Sequence, residues 1–287
     1  MARRYMQLDV FAARPGQGNP LGVVLDAQDL DTAAMQALAA WLNLSETVFF
    51  LPPDPGADYR IRIFTPGSEL PFAGHPSVGA AWAAVQLGLA RPRDGALVQQ
   101  CGAGLLPVRI AEDGGRRVAA VRSPRGQERA RQAAPLPAGL DALAAPGTDA
   151  ALWDNGPRWW LVEAASAAAL RAFRPDFAAL AAWTNATHAT GVAAFAAEAD
   201  PAHQLAVRAF CPGDAVNVPE DPVTGSANAV VAAWLHAQGR LPGGGDYVAS
   251  QGRELGRDGR VAVRVDDAGE VWIGGHVQQV IDGTLDW

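Results

Sequence analysis

The chain contains no lysine: all 23 basic residues are arginine. A Schiff-base enzyme, including one that holds pyridoxal phosphate on a lysine, is excluded by that absence. So is a P-loop nucleotide site, whose lysine reaches the phosphates. Cysteine is nearly as scarce. With only Cys101 and Cys211 there is no disulfide framework, and the expected compartment is the reducing cytoplasm. The five histidines (75, 188, 203, 236 and 276) form no HxH or HxxxH pair and there is no CxxC, so no metal site is expected from local spacing. No run of about 18 apolar residues escapes a charge, proline or polar break, so no membrane span is expected, and the first residues lack the apolar core of a signal peptide. Positive charge is also short. Against 30 acidic residues it leaves a net charge of −7, which argues against a nucleic-acid partner.

What is present is an ordinary globular balance over 287 residues, 49% hydrophobic and 18% charged, enough for two domains or one large one. The chain also repeats itself. Ala37-Leu-Ala-Ala-Trp41-Leu-Asn43 returns as Ala179-Leu-Ala-Ala-Trp183-Thr-Asn185, Arg62-Ile-Phe64-Thr-Pro66-Gly67 as Arg208-Ala-Phe210-Cys-Pro212-Gly213, and Ala80-Ala81-Trp82 as Ala232-Ala233-Trp234. The order is kept and the offsets grow from 142 to 146 to 152, as small insertions require. Two halves of like fold are the expectation.

Local patterns support this. Met6, Leu8 and Val10 alternate with Gln7 and Asp9, a half-buried strand, and short strands are expected over 22–25, 47–51 and 59–63. Asp31 is placed to cap a helix running to about Leu42. Two further helices, 75–87 and 226–238, are small or apolar on every face, which marks a helix as buried. Each half therefore reads as a sheet curled around one buried helix. The best linker candidate is the proline-rich stretch 131–139, and the change of domain falls between about 115 and 139. We take 1–125 and 126–287 as the halves, with the last strand free to pack back on the first. Trp159-Trp160 reads as core or domain edge rather than a ligand platform. His188, which aligns with Glu46 at the 142 offset, reads as a solvated or hydrogen-bonded histidine.

Both buried helices open at a glycine, Gly74 and Gly225, and a helix N-terminus can hold an anion such as a carboxylate. Tight turns would also account for these glycines. Glu46 stands before the apolar run Val48-Phe-Phe-Leu51, where partial desolvation would raise its pKa toward the range useful for acid–base work. On residue physics alone a solvated surface carboxylate is the simpler account. Gly16-Gln-Gly18 hints at a dinucleotide loop, but the third glycine is Gly22, one place late, and Pro20 interrupts, so that reading is set aside.

Five strings decide further: Gly18-Asn19-Pro20, Asn43-Leu-Ser45-Glu46-Thr47, Phe64-Thr-Pro66, Glu69-Leu-Pro-Phe-Ala-Gly74-His75-Pro76 and Glu220-Asp221-Pro-Val-Thr-Gly225-Ser226-Ala. Together with Gln251-Gly252-Arg-Glu254-Leu-Gly256-Arg257 and Gly274-Gly275, they resemble the phenazine-biosynthesis PhzF-like isomerase/epimerase family over nearly the whole chain. The resemblance implies the diaminopimelate epimerase-like fold, an α/β architecture of two pseudosymmetric halves, each a mixed β-sheet or barrel around a central buried helix. It implies that Glu46 is the general acid/base, with Asp221 and His75 also in the chemistry. Gly74, His75, Gly225, Ser226, Ser45 and Asn19 would bind substrate. It further implies a homodimer and no cofactor. Diaminopimelate epimerase and proline racemase use a cysteine at each central helix start. Here Ala73 and Thr224 flank the two glycines, so the two-thiol mechanism is closed. Trp41 departs from the family, whose members commonly carry acidic residues in that helix, and leaves the substrate open. The expected activity is a cofactor-free proton shift on a small carboxylate-bearing metabolite in the cytoplasm. The alternative is a metabolite-binding protein with the same cleft and no turnover.

Overall fold

The alternating start of the chain forms β1 (Ala2–Val10), whose Met6, Leu8 and Val10 are wholly buried. In the computed structural model, which describes residues 2–133, 135–137, 139–214, 216 and 218–287, two units form. One is Met1–Arg122 with Gly274–Trp287; the other is Ser123–Ile273.

In the first unit β1 is followed by β2 (Asn19–Val24), α1 (Thr32–Leu42), β3 (Glu46–Leu51), β4 (Tyr59–Phe64), β5 (Glu69–Leu70), α2 (Gly74–Gln86), β6 (Ala96–Cys101), β7 (Gly104–Asp113) and β8 (Arg116–Arg122). As expected, Asp31 caps α1 by accepting the Ala34 N–H at 2.8 Å. β1 runs antiparallel to β2, β2 parallel to β3, β3 antiparallel to β4 and β4 parallel to β6, with the short β5 also on β4. β6, β7 and β8 continue as an antiparallel meander.

The second unit holds β9 (Gln127–Gln132), α3 (Leu140–Leu143), β10 (Ala150–Asp154), β11 (Arg158–Glu163), α4 (Ala167–Ala172), α5 (Phe177–Ala186), β12 (Gly191–Asp200), β13 (His203–Cys211), β14 (Val218–Asp221), α6 (Gly225–Ala237), β15 (Asp246–Gln251) and β16 (Gly259–Val265). β17 (Val271–Asp286) begins there and belongs to the first unit from Gly274. It pairs with β8 and returns antiparallel to β1, so eight strands of the first unit close into a barrel.

An eight-stranded barrel leaves little interior width. A helix fits inside only if its side chains are small, and α2 supplies Gly, Ala, Ser and Val where a surface helix would carry charge. It packs against β1, β2, β3, β4, β7 and β8. Gly79 is required: a Cβ there would lie 2.4 Å from Leu21 Cδ2 and 2.9 Å from Val10 Cγ2.

The second unit repeats the order. β10–β11 antiparallel, β11–β12 parallel, β12–β13 antiparallel, β13–β15 parallel and β15–β16 antiparallel match the first unit step for step, with β14 in the place of β5. Its central helix α6 is 13 residues long, as α2 is, and packs against β11, β12 and β16. The duplication read from three short landmarks is thus a duplication of topology, and the fold is of the diaminopimelate epimerase type.

One expectation is corrected. The described part of the stretch 131–139, which leaves out 134 and 138, is not a linker: Arg131 and Gln132 lie in β9, and the buried Leu136 joins Leu140 and Leu143 in the core of the second unit. The two units divide at Arg122/Ser123. Proline-rich composition concealed a segment anchored by one leucine. Among the described residues no helix is long and apolar enough to cross a membrane.

Candidate active site

In the first unit the site grows from two chain reversals. α1 ends at Asn43, which takes the left-handed conformation (φ 51°), and the chain turns directly through Ser45 into β3. Glu46 is therefore the first residue of an inner strand, paired with Leu21 of β2, and its side chain is only 16% exposed. The second reversal brings the start of α2 to the same place. Glu46 Oε2 stands 3.5 Å from His75 Nε2. On the far side of the ring, His75 Nδ1 lies 3.4 Å from Asn19 Nδ2, and Ser45 Oγ donates to Asn19 Oδ1 at 3.1 Å. Asn19, Ser45, Glu46 and His75 thus form one connected cluster, with Gly74 as the first residue of α2.

Asp9 sets the position of Asn19. One carboxylate oxygen of this buried residue accepts the N–H groups of Gly16, Gln17 and Gly18 at 2.6, 2.9 and 3.1 Å. The glycines that resembled a dinucleotide loop wrap an internal carboxylate instead.

Burial dominates the electrostatics of His75. It pushes the imidazole down to about 3, against a smaller opposing effect of a backbone hydrogen bond with Pro20. The ring is neutral at pH 7, so its approach to Glu46 is not an ion pair. A neutral imidazole carries one N–H and one bare nitrogen, which suits it to polarise or relay rather than to add charge.

In the second unit β14 ends at Asp221 and α6 begins at Gly225, with Thr224 as its N-cap. Thr224 Oγ1 donates to Asp221 Oδ2 at 2.5 Å. Ser226 is held from two directions. Trp159 Nε1 donates to its Oγ at 3.2 Å, and Asn155 Nδ2 donates to its carbonyl at 3.1 Å. Neither α2 nor α6 has a side-chain cap or an acidic residue in its first turn. No group of three or more His, Cys, Asp or Glu among the described residues is placed to hold a metal ion.

The repeat is broken at its most telling position. Arg62 pairs with Phe49 and Arg208 with Ala194, so the counterpart of Glu46 is Gly191. A Cβ at Gly191 would fall 2.3 Å from the Phe210 carbonyl oxygen and 2.8 Å from the Trp159 ring. The second unit has no room for a side chain there. The alignment of His188 with Glu46 is corrected accordingly, since the connection before β12 shifts the offset. His188 is exposed, in line with its reading as a solvated residue. Sequence reasoning missed Asp9, Trp159 and Gln251. Only Gln251 lay within a quoted motif, and nothing local to Trp159 signals its bond to a residue 67 positions away. A cavity of about 570 Å³ in the first unit involves none of the candidate residues. It adjoins Leu87, the C-terminal cap of α2, roughly 20 Å along the helix from His75.

Comparison with known proteins identifies the family and the fold. The family model for phenazine biosynthesis-like proteins matches residues 8–283. The chain is 37% identical to trans-2,3-dihydro-3-hydroxyanthranilate isomerase of Pseudomonas aeruginosa, over 93% of this chain and 92% of that one. A phenazine biosynthesis protein of the PhzF family from Bacillus anthracis superposes with a TM-score of 0.85 at 24% identity, covering 100% of both chains. A hydroxyproline epimerase from Agrobacterium vitis shares the fold at a TM-score of 0.66 and 14% identity, over 99% of this chain and 92% of that one. A family match over nearly the whole chain, a relative of that identity and a fold with two small-residue central helices lead to one conclusion: the chain belongs to the phenazine biosynthesis-like family of PhzF-type isomerases.

Proposed function

We propose that this isomerase moves a proton between carbon atoms of a small carboxylate-bearing metabolite, with Glu46 as the general acid/base. The observation that carries the reading is the half-buried Glu46 carboxylate beside the buried, neutral His75. Glu46 accepts a proton from substrate carbon and returns it at another position. His75, kept uncharged, adjusts to the carboxyl group as it gains and loses that proton. A catalytic contact of this kind is often long in the free enzyme and tightens around substrate. Asp221 assists the proton transfer. In the first unit Asn19, Ser45 and Gly74 are the proposed substrate-binding residues, with the uncapped first turn of α2 suited to a carboxylate; in the second unit they are Gly225 and Ser226, at the equally uncapped start of α6. The repeat supports a single acid/base rather than a pair, because Gly191 cannot carry a counterpart of Glu46. No cofactor enters this mechanism. We further propose that the enzyme works as a homodimer in the cytoplasm. The hydroxyanthranilate isomerase relative makes trans-2,3-dihydro-3-hydroxyanthranilate the first compound to try.

The test is incubation of that compound and a panel of small amino- and hydroxy-carboxylates with the enzyme in D₂O. Enzyme-dependent deuterium at a carbon position is expected, and Glu46→Gln is expected to slow its appearance by about 10²–10⁴-fold. Tight binding without deuterium incorporation would make the chain a metabolite-binding protein. Unchanged turnover in Glu46→Gln would remove Glu46 from the chemistry.

A further inference from the structure

We infer that Gln251 is a positioning residue for the turn that carries Asp221 and opens α6; the inference rests on the function proposed above. Gln251 ends β15 and is 1% exposed. Its Nε2 donates to the Asp221 carbonyl oxygen at 3.0 Å and to Thr224 Oγ1 at 2.9 Å. Its Oε1 accepts from the Thr224 N–H and from Asn228 Nδ2, both at 3.0 Å. Asn228, equally buried, donates in turn to the Thr224 carbonyl at 2.8 Å. Two donors and two acceptors exhaust the capacity of a primary amide, and all four are spent on one turn and the helix it starts.

The consequence reaches the reacting group. Because Thr224 Oγ1 receives a hydrogen bond from Gln251, its own proton is directed to Asp221 Oδ2. The amide therefore fixes the backbone of Asp221 and, through Thr224, the direction of its carboxylate.

The first unit shows the same place without the device. Gly102 and Gly252 are equivalent: a Cβ on the first would meet Pro71 Cα at 2.8 Å, and on the second the Pro222 carbonyl oxygen at 2.5 Å. The residues before them, Cys101 and Gln251, correspond, and those before the prolines, Leu70 and Asp221, correspond too. The glutamine stands where the turn carries a carboxylate. Where the turn carries leucine, a cysteine suffices. A purely architectural need would be felt in both units.

Hydrogen exchange of the full chain, read by mass spectrometry on peptides covering 220–228, tests the clamp without any substrate. In Gln251→Met, which keeps the volume and loses all four bonds, exchange at Thr224 is expected to quicken about tenfold or more. The α2 peptide 74–86 should be unchanged. Gln251→Glu keeps the acceptor for Thr224 and is expected to restore part of the protection. Turnover of trans-2,3-dihydro-3-hydroxyanthranilate should fall in Gln251→Met about tenfold or more, in kcat rather than KM, as loss of aim predicts. Wild-type exchange at Thr224 in Gln251→Met would overturn the clamp. Fast exchange with wild-type kcat would overturn the positioning role. Wild-type turnover in Glu46→Gln would overturn the proposed function instead and leave the exchange result standing.

Discussion

Arg208 grips Glu220 along both edges, Nε to Oε1 at 2.9 Å and Nη2 to Oε2 at 2.8 Å, in the residue before Asp221. The first unit has the same pair in Arg62 and Glu69, at 2.7 and 2.6 Å. Each guanidinium also lies over the phenylalanine two residues on, Phe210 at 4.9 Å and Phe64 at 5.0 Å. The two copies differ in burial. The side chains of Arg208 and Glu220 are 3% and 6% exposed, those of Arg62 and Glu69 22% and 37%. Removing one partner of a buried pair strands the other charge, whereas an exposed partner is rehydrated. Glu220→Ala is therefore expected to cost about 3–5 kcal/mol, and Glu69→Ala about 0–1 kcal/mol. Urea unfolding of the two variants checks the contrast; equal losses would refute it.

Gly79 offers a test of the helix inside the barrel. Any side chain there must displace the buried Leu21 and Val10. Gly79→Val is expected to destabilise the protein by about 1–3 kcal/mol through overpacking. The same change at Gly67, where a Cβ meets nothing within 4 Å, should cost far less. Thermal unfolding of both variants reads the difference.

His75 makes stability depend on pH in a defined window. Its folded-state pKa, about 3, lies below the ordinary value of 6.5. Between these values the unfolded chain binds a proton that the folded chain refuses. Stability from this group is therefore whole above pH 6.5 and declines as the pH falls toward 3. The slope is up to about 1.4 kcal/mol per unit. Urea titrations at pH 7, 6, 5 and 4 should show that slope, and His75→Asn should lack this share of it.

Asp9 predicts a linked loss of stability and of order in the loop that presents Asn19. Three N–H groups converge on a single carboxylate oxygen, and hydrogen bonds to a charged acceptor are the stronger kind. Asp9→Ala is expected to cost at least about 2 kcal/mol and to speed amide exchange at residues 16–18. Unchanged exchange there would show that the loop is held by other means.

Much of this was written in local pattern. Periodicity marks β1, the Asp31 cap marks α1, and the two uncharged, small-residue helices declare their own burial, because a helix apolar on all sides has no stable place in water. The duplication follows from landmarks kept in order, and Glu46, His75, Asp221 and Ser226 follow from the family motifs. Tertiary structure decided the rest. Whether residues 131–139 were linker or core turned on Leu136 finding Leu140 and Leu143. That Gly191, not His188, answers Glu46 came from strand register, which the length of a connection shifts without trace in composition. Trp159 and Ser226, Gln251 and Asp221, and Asp9 and Gly16 to Gly18 are joined by hydrogen bonds across the fold. Such bonds depend on distance and direction in space, and neither quantity is carried by the order of residues along a chain.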